Sequence, residues 1–247
     1  MTKITAIIPT FNEEDNIQRA LNSVSFADEI IVIDSFSTDK TSKIVRDNKV
    51  VKLLQRKFDD FSSQKNFAIQ QATYNWIFLL DADEEVEEEL RKEILSIVNN
   101  AEDKSAYNIN RNFYFKSKKI NFGGFQRSKV TRLFKKEFCF YKGKVHEQLE
   151  VKGNVGLLKN KLNHYSYKSY AHYKNKLTNY AKLQAEELLA KKQIVTPYHL
   201  YIKPLVRFFI HYFIRFGFLD GKKGLVLAYV HGYGVKRRYI ELKLFKN

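Results

Sequence analysis

Residues 4–80 repeat one unit three times, namely an apolar segment, a polar turn and a segment with helical periodicity, and a fourth apolar segment follows. The apolar segments cover residues 4–9, 29–34, 50–54 and 76–80. After the first of them, Ile17, Ala20, Leu21 and Val24 recur at the spacing of one helix face. Near-continuous apolar strands that alternate with helices are typical of a parallel sheet covered on both faces. The pattern predicts an α/β fold that binds its ligands outside the carboxyl ends of the strands.

Polar clusters follow three of these predicted strands, at residues 10–13, 34–39 and 81–83. The last one, Asp81-Ala82-Asp83, places two carboxylates one residue apart after a buried strand. Mg²⁺ and Mn²⁺ prefer such oxygen ligands and fill their remaining positions with water and phosphate oxygens. The motif therefore predicts a metal that holds a diphosphate, the leaving group of a nucleotide-sugar. The alternative is an acidic helix start favoured by the helix dipole, because five glutamates follow within residues 84–89.

Length and cysteine content limit the fold. A chain of 247 residues suits one α/β domain with a helical appendage. Cys139 is the single cysteine, so no internal disulfide can form, and the flanking Phe138 and Phe140 predict a buried strand residue. Neither a GxGxxG nor a Walker-type glycine loop is present, which argues against a dehydrogenase or a P-loop enzyme. The first residues lead into a strand without a signal peptide, and a cytoplasmic location is expected.

Charge is distributed unevenly along the chain. Residues 1–100 have a net charge of −6, whereas residues 101–247 have a net charge of +22. A basic surface of this size can serve nucleic acid, an anionic membrane or a phosphorylated acceptor, and charge alone does not distinguish them. No RNA- or DNA-binding motif accompanies the basic residues, which argues against a nucleic-acid partner.

Residues 198–218 combine basic and aromatic side chains. Lys203, Arg207, His211 and Arg215 follow i, i+4 spacing, and apolar residues occupy most of the other positions. The apolar runs are far shorter than the roughly 20 residues that span a bilayer. The pattern predicts an interfacial helix whose basic stripe lies near the phosphates of an anionic membrane surface. In the alternative, the helix packs on the α/β domain and exposes only its basic stripe.

The middle of the chain shows strand patterns. Residues 107–115 alternate as in a half-buried strand, and residues 130–134 and 138–141 predict further strands. Gly123-Gly124 predicts a turn before them.

Four motifs in order resemble the family 2 glycosyltransferases with the GT-A fold: PTFNEEDN (9–16), VIDSFSTDKT (32–41), SQKNFA (63–68) and LLDADEE (79–85). KVHEQL (144–149), HYSY (164–167) and GFLDGKKG (217–224) extend the similarity, and this combination resembles the bacterial lipopolysaccharide-core glucosyltransferase branch. The resemblance implies a mostly parallel nucleotide-binding sheet flanked by helices. It places the GT-A catalytic domain at residues 1–168, with nucleotide-sugar binding in 1–100 and the acceptor side in 101–168. A helical, membrane-proximal region would cover residues 169–247.

The resemblance also implies roles for individual residues. The residues expected around the nucleotide-sugar are Pro9, Thr10, Glu13, Asp34, Lys65, Asp81 and Arg132. Asp83 would coordinate the metal, and Asp81 would contact the sugar or the ribose. Thr10 and Asp34 are alternatively turn and capping residues only, and Lys65 is alternatively a solvated helix lysine. Arg132, together with Arg127, would supply charge to the diphosphate or to a phosphorylated acceptor, or would belong to a basic strand face.

An inverting transfer needs a base that removes the acceptor proton as the oxygen attacks the anomeric carbon. Glu147 is the candidate base, although many family 2 enzymes use an aspartate at this point and this chain reads His-Glu. His146 has three possible roles: it completes the metal shell, it orients Glu147, or it is structural.

The sequence therefore predicts an inverting transferase that depends on Mg²⁺ or Mn²⁺. It would move a hexose, with glucose favoured by the resemblance, from a nucleoside-diphosphate sugar, with UDP favoured. The acceptor would be a lipopolysaccharide-core or other lipid-linked envelope glycan, at the inner face of the cytoplasmic membrane. The alternative is a non-catalytic glycan- or membrane-binding scaffold with a GT-A fold, against which the intact Asp81, Asp83 and Glu147 argue.

Overall fold

A computed structural model describes residues 2–100, 103–127, 129–143, 147–167 and 169–246. The chain divides into two compact units. The sheet unit contains residues 1–111 and 128–164, and the helical unit contains residues 112–127 and 165–247. The sequence pattern instead assigned 112–127 to the catalytic domain, and the predicted domain boundary at residue 168 stays a prediction.

The strands are β1 (Ile4–Thr10), β2 (Glu29–Asp34), β3 (Val51–Gln55), β4 (Trp76–Leu79), β5 (Glu84–Glu85), β6 (Ala106–Phe115), β7 (Lys118–Ile120), β8 (Lys129–Lys135), β9 (Cys139–Lys142), β10 (Gln148–Val151), β11 (Val155–Leu157) and β12 (Leu162–Tyr167). The α-helices are α1 (Ile17–Ser23), α2 (Thr41–Asp47), α3 (Phe61–Gln70), α4 (Glu88–Asn99), α5 (Tyr170–Ala190), α6 (Lys203–Phe209) and α7 (Gly221–Leu244). The strands predicted from the sequence are confirmed, and no end shifts by more than one residue.

The main sheet has the strand order β3-β2-β1-β4-β8-β6. Strands β3, β2, β1 and β4 are parallel, whereas β8 pairs antiparallel with both β4 and β6. Strand β11 lies parallel to β6, and β9 pairs with β10 in a separate antiparallel ribbon. The fold is therefore the expected α/β class with a mostly parallel sheet flanked by helices.

Strands β1, β2 and β4 are largely apolar because both faces of the sheet are covered there. Ile4, Ala6 and Ile8 of β1 belong to the core that includes α1, α2 and α4. Ile7 points to the other face, where its core includes Ala68 of α3. Alternate residues of one strand thus enter different cores, and the sequence shows a continuous apolar run.

In the helical unit, α5 and α6 both pack against α7. The GFLDGKKG segment shapes this unit. A Cβ on Gly224 would lie 1.8 Å from the carbonyl oxygen of Gly217, so the close approach of the two backbones requires glycine. The buried Asp220 carboxylate accepts hydrogen bonds from the backbone amides of Asn121 at 3.1 Å and Phe122 at 2.9 Å. These contacts give the motif a structural role.

The predicted basic stripe in residues 198–218 is exposed only in part, and its contact with a membrane stays a prediction. π-Helical turns at Tyr198–Ile202 and Ile210–Ile214 flank α6, and the helix stops before Phe216, which has φ +57°. His211 is buried and its Nδ1 lies 2.7 Å from the carbonyl oxygen of Gly123, while Lys203 donates to the Tyr239 hydroxyl at 2.6 Å. Arg215 Nη1 lies 3.5 Å from His211 Nε2, so three of the four basic positions make contacts inside the helical unit.

Apolar side chains are also exposed along this segment, including Leu205, Phe209, Ile214 and Phe216. The alternative, in which only the basic stripe is exposed, is thus wrong. Arg207 is exposed as well, so cationic and apolar side chains share this surface. Among the described residues, no helix has both the length and the apolar character required to cross a membrane.

Candidate active site

Two loops meet at the carboxyl ends of β1 and β2. Thr10 pairs with Asp34 in the sheet register, and the Ser35 amide donates to the Thr10 carbonyl at 3.0 Å. Asn12 then connects the loops, because its amide donates to Ser37 Oγ at 2.9 Å and its side-chain oxygen accepts from the Thr38 amide at 2.8 Å. The polar clusters that follow β1 and β2 therefore form one surface at the sheet edge.

The residues predicted around the nucleotide have defined partners on this surface. Asp34 is buried, and its carboxylate accepts from Ser42 Oγ at 2.7 Å and Gln55 Nε2 at 3.2 Å. The Glu13 carboxylate accepts from Asn16 Nδ2 at 2.7 Å, and Pro9 lies within β1. Asp34 thus makes the local contacts expected of a turn or capping residue. Contact of Pro9, Glu13 and Asp34 with a nucleotide stays a prediction.

Two buried polar atoms next to this surface lack a hydrogen-bond partner among the described residues: Thr10 Oγ1 and Gln64 Oε1. Gln64 lies on α3, and its Nε2 donates to Ser35 Oγ at 3.0 Å. Buried polar atoms normally have partners, so an unsatisfied pair at a sheet edge is the feature expected of a ligand site. Gln64 was not singled out from the sequence, although it lies in the SQKNFA motif.

Arg132 of β8 neutralises the first carboxylate of Asp81-Ala82-Asp83. Its guanidinium contacts Asp81 and also the fully buried Glu84, with an N–O distance of 2.8 Å to Glu84. Arg111 lies 3.2 Å from the same Glu84 oxygen. Burial disfavours the charged form of Asp81, but the charges of Arg132 and Lys65 outweigh burial and hold its pKa well below the usual range. Asp81 and Arg132 thus both remain charged.

The second carboxylate has a different neighbour. Asp83 Oδ2 lies 3.3 Å from Nε2 of His164, which β12 places opposite Glu84 of β5. A carboxylate oxygen and an imidazole nitrogen at this distance are suitable donors for one divalent cation. His164 was missed as a ligand candidate, although the HYSY motif contains it. In the described part of the chain, no group of three or more acidic, histidine or cysteine side chains converges.

Lys65 and Glu147 form the third pair, with Nζ 3.1 Å from Oε1. Lys65 is buried and lies 5.0 Å from the ring centroid of Tyr141, so the interpretation of a solvated helix lysine is wrong. His146 and the side chain of Arg127 lie outside the described residues. The buried Cys139 belongs to β9 as predicted, and burial raises the pKa of its thiol to about 12, which disfavours the reactive thiolate.

The chain matches the family model of Glycosyl transferase family 2 over residues 5–155. An uncharacterized glycosyltransferase of Rickettsia felis is 31% identical over 258 residues, which cover 98% of this chain and 90% of the relative. The lipopolysaccharide core biosynthesis glycosyltransferase LpsC of Rhizobium meliloti is 24% identical over 254 residues, which cover 96% of this chain and 93% of LpsC.

The crystal structure of S. aureus TarS 1–349 has a similar fold, with a TM-score of 0.50 and 14% identity over 99% of this chain and 91% of that chain. The fold similarity covers the mostly parallel sheet and the helices around it, which is the GT-A arrangement. The carboxylate motif lies at the end of β4, where a ligand site is expected in such a sheet. The chain belongs to glycosyl transferase family 2 and is a glycosyltransferase that resembles the lipopolysaccharide-core branch.

Proposed function

We propose that this protein catalyses an inverting transfer of a hexose from a nucleoside-diphosphate sugar to a lipopolysaccharide-core or other envelope glycan acceptor. The observation that carries the proposal is the different environment of the two carboxylates in Asp81-Ala82-Asp83. Arg132 pairs with Asp81, whereas Asp83 faces His164 at 3.3 Å. The similarity to LpsC supports a lipopolysaccharide-core acceptor, and a glucose donor rests on the sequence resemblance alone.

Donor binding would use the surface at the ends of β1, β2 and β4. Thr10 Oγ1 and Gln64 Oε1 are buried and would gain hydrogen-bond partners from the nucleotide. Pro9 and Asp34 would shape the same surface, and Asp81 would meet the ribose or the sugar. An unpaired buried polar atom costs about 1–3 kcal/mol, so its satisfaction by a ligand adds directly to affinity.

The residues at the end of β4 fit a divalent cation. Asp83 and His164 would be its protein ligands, and diphosphate oxygens and water would complete the shell, as is usual for Mg²⁺ and also possible for Mn²⁺. When bound, the ion would neutralise the charge that develops on the departing diphosphate. Arg132 would hold Asp81 in place beside this group. The role of His146 as a metal ligand stays a prediction.

Glu147 is the proposed base. Lys65 holds its carboxylate at 3.1 Å, and the side chain of Glu147 remains partly exposed to an incoming acceptor. The carboxylate would take the proton of the acceptor hydroxyl while that oxygen forms the bond to the anomeric carbon and the bond to the diphosphate breaks. An attack opposite the leaving group inverts the anomeric centre, so an α-linked donor gives a β-linked product.

The protein is proposed to act at the inner face of the cytoplasmic membrane. The helical unit contains 20 Lys and Arg residues but 4 Asp and Glu residues. The same unit exposes large apolar side chains, including Leu205, Phe209 and Ile214. Exposed apolar side chains next to cationic ones favour the headgroup region of an anionic bilayer, where each cationic side chain contributes about 1 kcal/mol.

The first test is calorimetry of donor binding. UDP-glucose, UDP-galactose, UDP-N-acetylglucosamine and GDP-mannose would be compared with Mn²⁺ and then with chelator, for the wild type and Asp83→Ala. We expect metal-dependent binding of one donor, lost in the variant. If no donor binds under either condition, the proposed donor site is wrong.

Product stereochemistry tests the inverting mechanism separately. Proton NMR of the product formed from an α-linked donor should show a β-linkage. A retained α-linkage would leave the transferase activity intact and exclude Glu147 as a base for direct displacement.

A further inference from the structure

The helical unit contains a groove with apolar walls and a volume of about 720 Å³. Its walls include Phe115, Phe208, Leu225 and Tyr229. Ligand pockets usually have volumes of about 300–1,000 Å³. The groove is therefore large enough for part of a lipid and lies outside the catalytic site described above.

Three lysines line the same groove: Lys116, Lys222 and Lys223. No acidic residue is among the described residues that line it. Lys223 Nζ donates to the backbone carbonyl oxygens of Phe115 and Lys116, each at 3.2 Å. Burial and the like charges of Lys118 and Lys116 lower the pKa of Lys223. A group of like charges against an apolar wall is complementary to an anion that carries a hydrocarbon chain.

The backbone holds one of these lysines in an uncommon conformation. Lys116 and Ser117 join β6 to β7 with φ values of 48° and 58°. Two-residue hairpin loops with positive φ normally contain Asn and Gly, because other side chains are strained there. The chain tolerates this strain at the position that places a lysine on the groove, which is a pattern found at binding sites.

The groove continues into the exposed aromatic surface of the helical unit. The rings of Phe208 and Tyr212 are stacked at 5.5 Å, and Tyr212 contacts Phe213 at 4.9 Å and Phe218 at 6.2 Å. Phe213 and Phe218 are both exposed. A lipid in the groove would therefore have apolar contacts from the lysines to the surface proposed to meet the bilayer.

We propose that this groove binds one anionic phospholipid of the membrane, with an acyl chain along the apolar walls and the phosphate beside Lys116, Lys222 and Lys223. The site adds a defined lipid to the membrane contact proposed above. It does not depend on the sugar transfer.

The test uses dodecyl phosphate below its micelle concentration as a probe, with binding to the full chain measured by calorimetry. Inorganic phosphate and dodecyl maltoside serve as the headgroup-only and uncharged-chain probes. We expect saturable binding of one dodecyl phosphate, at least about tenfold tighter than either of the other probes. Equal binding of inorganic phosphate would show a simple anion site and overturn the lipid assignment. Equal binding of dodecyl maltoside would show that the lysines do not select the ligand.

Variants then locate the site. Lys116→Gln/Lys222→Gln should weaken dodecyl phosphate binding by roughly tenfold or more, because two cationic contacts are lost. The control Lys182→Gln/Lys191→Gln removes the same charge from exposed positions of the same unit and should leave binding unchanged. Leu225→Ser/Tyr229→Ser changes two exposed wall residues and should also weaken binding. If the lysine variant and its control lose dodecyl phosphate binding equally, the assignment of the site to this groove is overturned.

Vesicles separate this site from the general membrane contact. Vesicles with phosphatidylglycerol should bind the wild type more tightly than vesicles of phosphatidylcholine alone. If the protein binds these vesicles but not dodecyl phosphate, the groove proposal is wrong and the membrane contact stands. If it binds dodecyl phosphate but not vesicles, the groove is a site for an anionic amphiphile, and its assignment to a membrane phospholipid is overturned together with the membrane contact.

Discussion

The sheet unit and the helical unit distribute charge in different ways. The sheet unit contains 23 Lys and Arg residues and 23 Asp and Glu residues. The helical unit contains 20 Lys and Arg residues but 4 Asp and Glu residues. The whole net charge of +16 therefore belongs to the helical unit. In the sheet unit, charges such as Arg132 and Glu84 pair inside the fold. In the helical unit, the groove lysines lie together without an acid among the described lining residues.

Apolar surface shows the same contrast. Strands β1, β2 and β4 of the sheet unit have both faces covered, with residues such as Ile7 and Phe78 fully buried. Most of the exposed large apolar side chains among the described residues belong to the helical unit, including Phe209, Ile214 and Phe216. A protein surface that is both apolar and cationic fits a membrane interface better than water. The comparison suggests that chemistry and membrane binding can be separated by substitution, and the predictions below test that separation.

The largest effect is expected from Glu147→Gln. If Glu147 is the base, the amide cannot accept the proton, and kcat should fall by about 100- to 10,000-fold. Donor affinity should change little, and vesicle binding should not change. The measurement is steady-state transfer together with calorimetry of the donor.

Glu150→Gln is the matched control. Glu150 lies three residues further along the chain, is exposed, and pairs with Lys142 at 3.0 Å. It should retain nearly full activity. Equal activity of Glu147→Gln and Glu150→Gln would remove Glu147 from the mechanism. Loss of vesicle binding in Glu147→Gln would contradict the separation of the two units.

The internal charge pairing of the sheet unit predicts the next effect. Arg132→Met leaves the fully buried Glu84 with Arg111, at 3.2 Å, as its remaining cationic contact among the described residues. Removal of one partner from a buried pair commonly costs about 3–5 kcal/mol in the free energy of unfolding. Urea denaturation should show a loss near the lower end of that range, because Arg111 remains.

A double variant distinguishes charge from packing in this cluster. Arg132→Met/Glu84→Gln removes both charges, so it should be more stable than Arg132→Met alone. If the loss of stability in the double variant equals the sum of the losses in the two single variants, Arg132 and Glu84 are not energetically coupled. The contrast between the two units would then be supported by their charge distribution alone.

The sequence predicted those features of the fold and the site whose residues lie close together along the chain. Continuous apolar runs predicted β1 to β4, because two-sided burial leaves a strong local pattern. The pairing of Arg132 with Asp81 joins residues 51 positions apart, and no local pattern encodes it. His211 likewise contacts Gly123, 88 residues earlier. The spacing of Lys203, Arg207, His211 and Arg215 predicted a helix correctly but not which face is covered.

The exposed apolar surface of the helical unit predicts a smaller effect, on binding alone. Phe209→Ser/Ile214→Ser should weaken binding to anionic vesicles by roughly tenfold or more, because each side chain contributes about 1.5–3 kcal/mol when fully buried and less when partly inserted. The free energy of unfolding should change little, since both side chains are exposed in the protein. Flotation with vesicles measures the binding.

Val50→Ser/Leu157→Ser is the control from the sheet unit, where both side chains are also exposed. It should leave vesicle binding unchanged. If both double variants weaken binding equally, the helical unit has no special role at the membrane. Transfer to a soluble acceptor should remain near the wild-type rate in both variants.

The smallest effect concerns pH. The rings of His211 and His231 are stacked at 4.1 Å inside the helical unit, and the Tyr173 hydroxyl lies 3.2 Å from His231 Nε2. Burial, with the nearby His211, Arg207 and Arg215, lowers the pKa of His231 to about 3. Burial also lowers the pKa of His211.

An unfolded histidine titrates near pH 6.5, so between about pH 6.5 and 3 the unfolded chain binds more protons at His231 than the folded one. The stability of the helical unit should therefore fall as the pH drops below about 6.5, by about 1 kcal/mol at pH 5.5. Asp81 has the same sign but a lower pH window: its lowered pKa stabilises the sheet unit above about pH 4, and this contribution is lost only as the pH falls below about 4. Hydrogen exchange, corrected for its intrinsic pH dependence, should show faster opening of α7 but not of β1 at about pH 5.5 than at about pH 7.5.

His231→Phe keeps a ring in the stack and removes the titratable nitrogens. It should cost about 1 kcal/mol at neutral pH through the lost Tyr173 hydrogen bond, and the pH dependence of α7 exchange should flatten. An unchanged pH dependence in this variant would exclude His231 as its source. Equal acid sensitivity of β1 and α7 would show that the two units open together, and the contrast between them would then not extend to their stability.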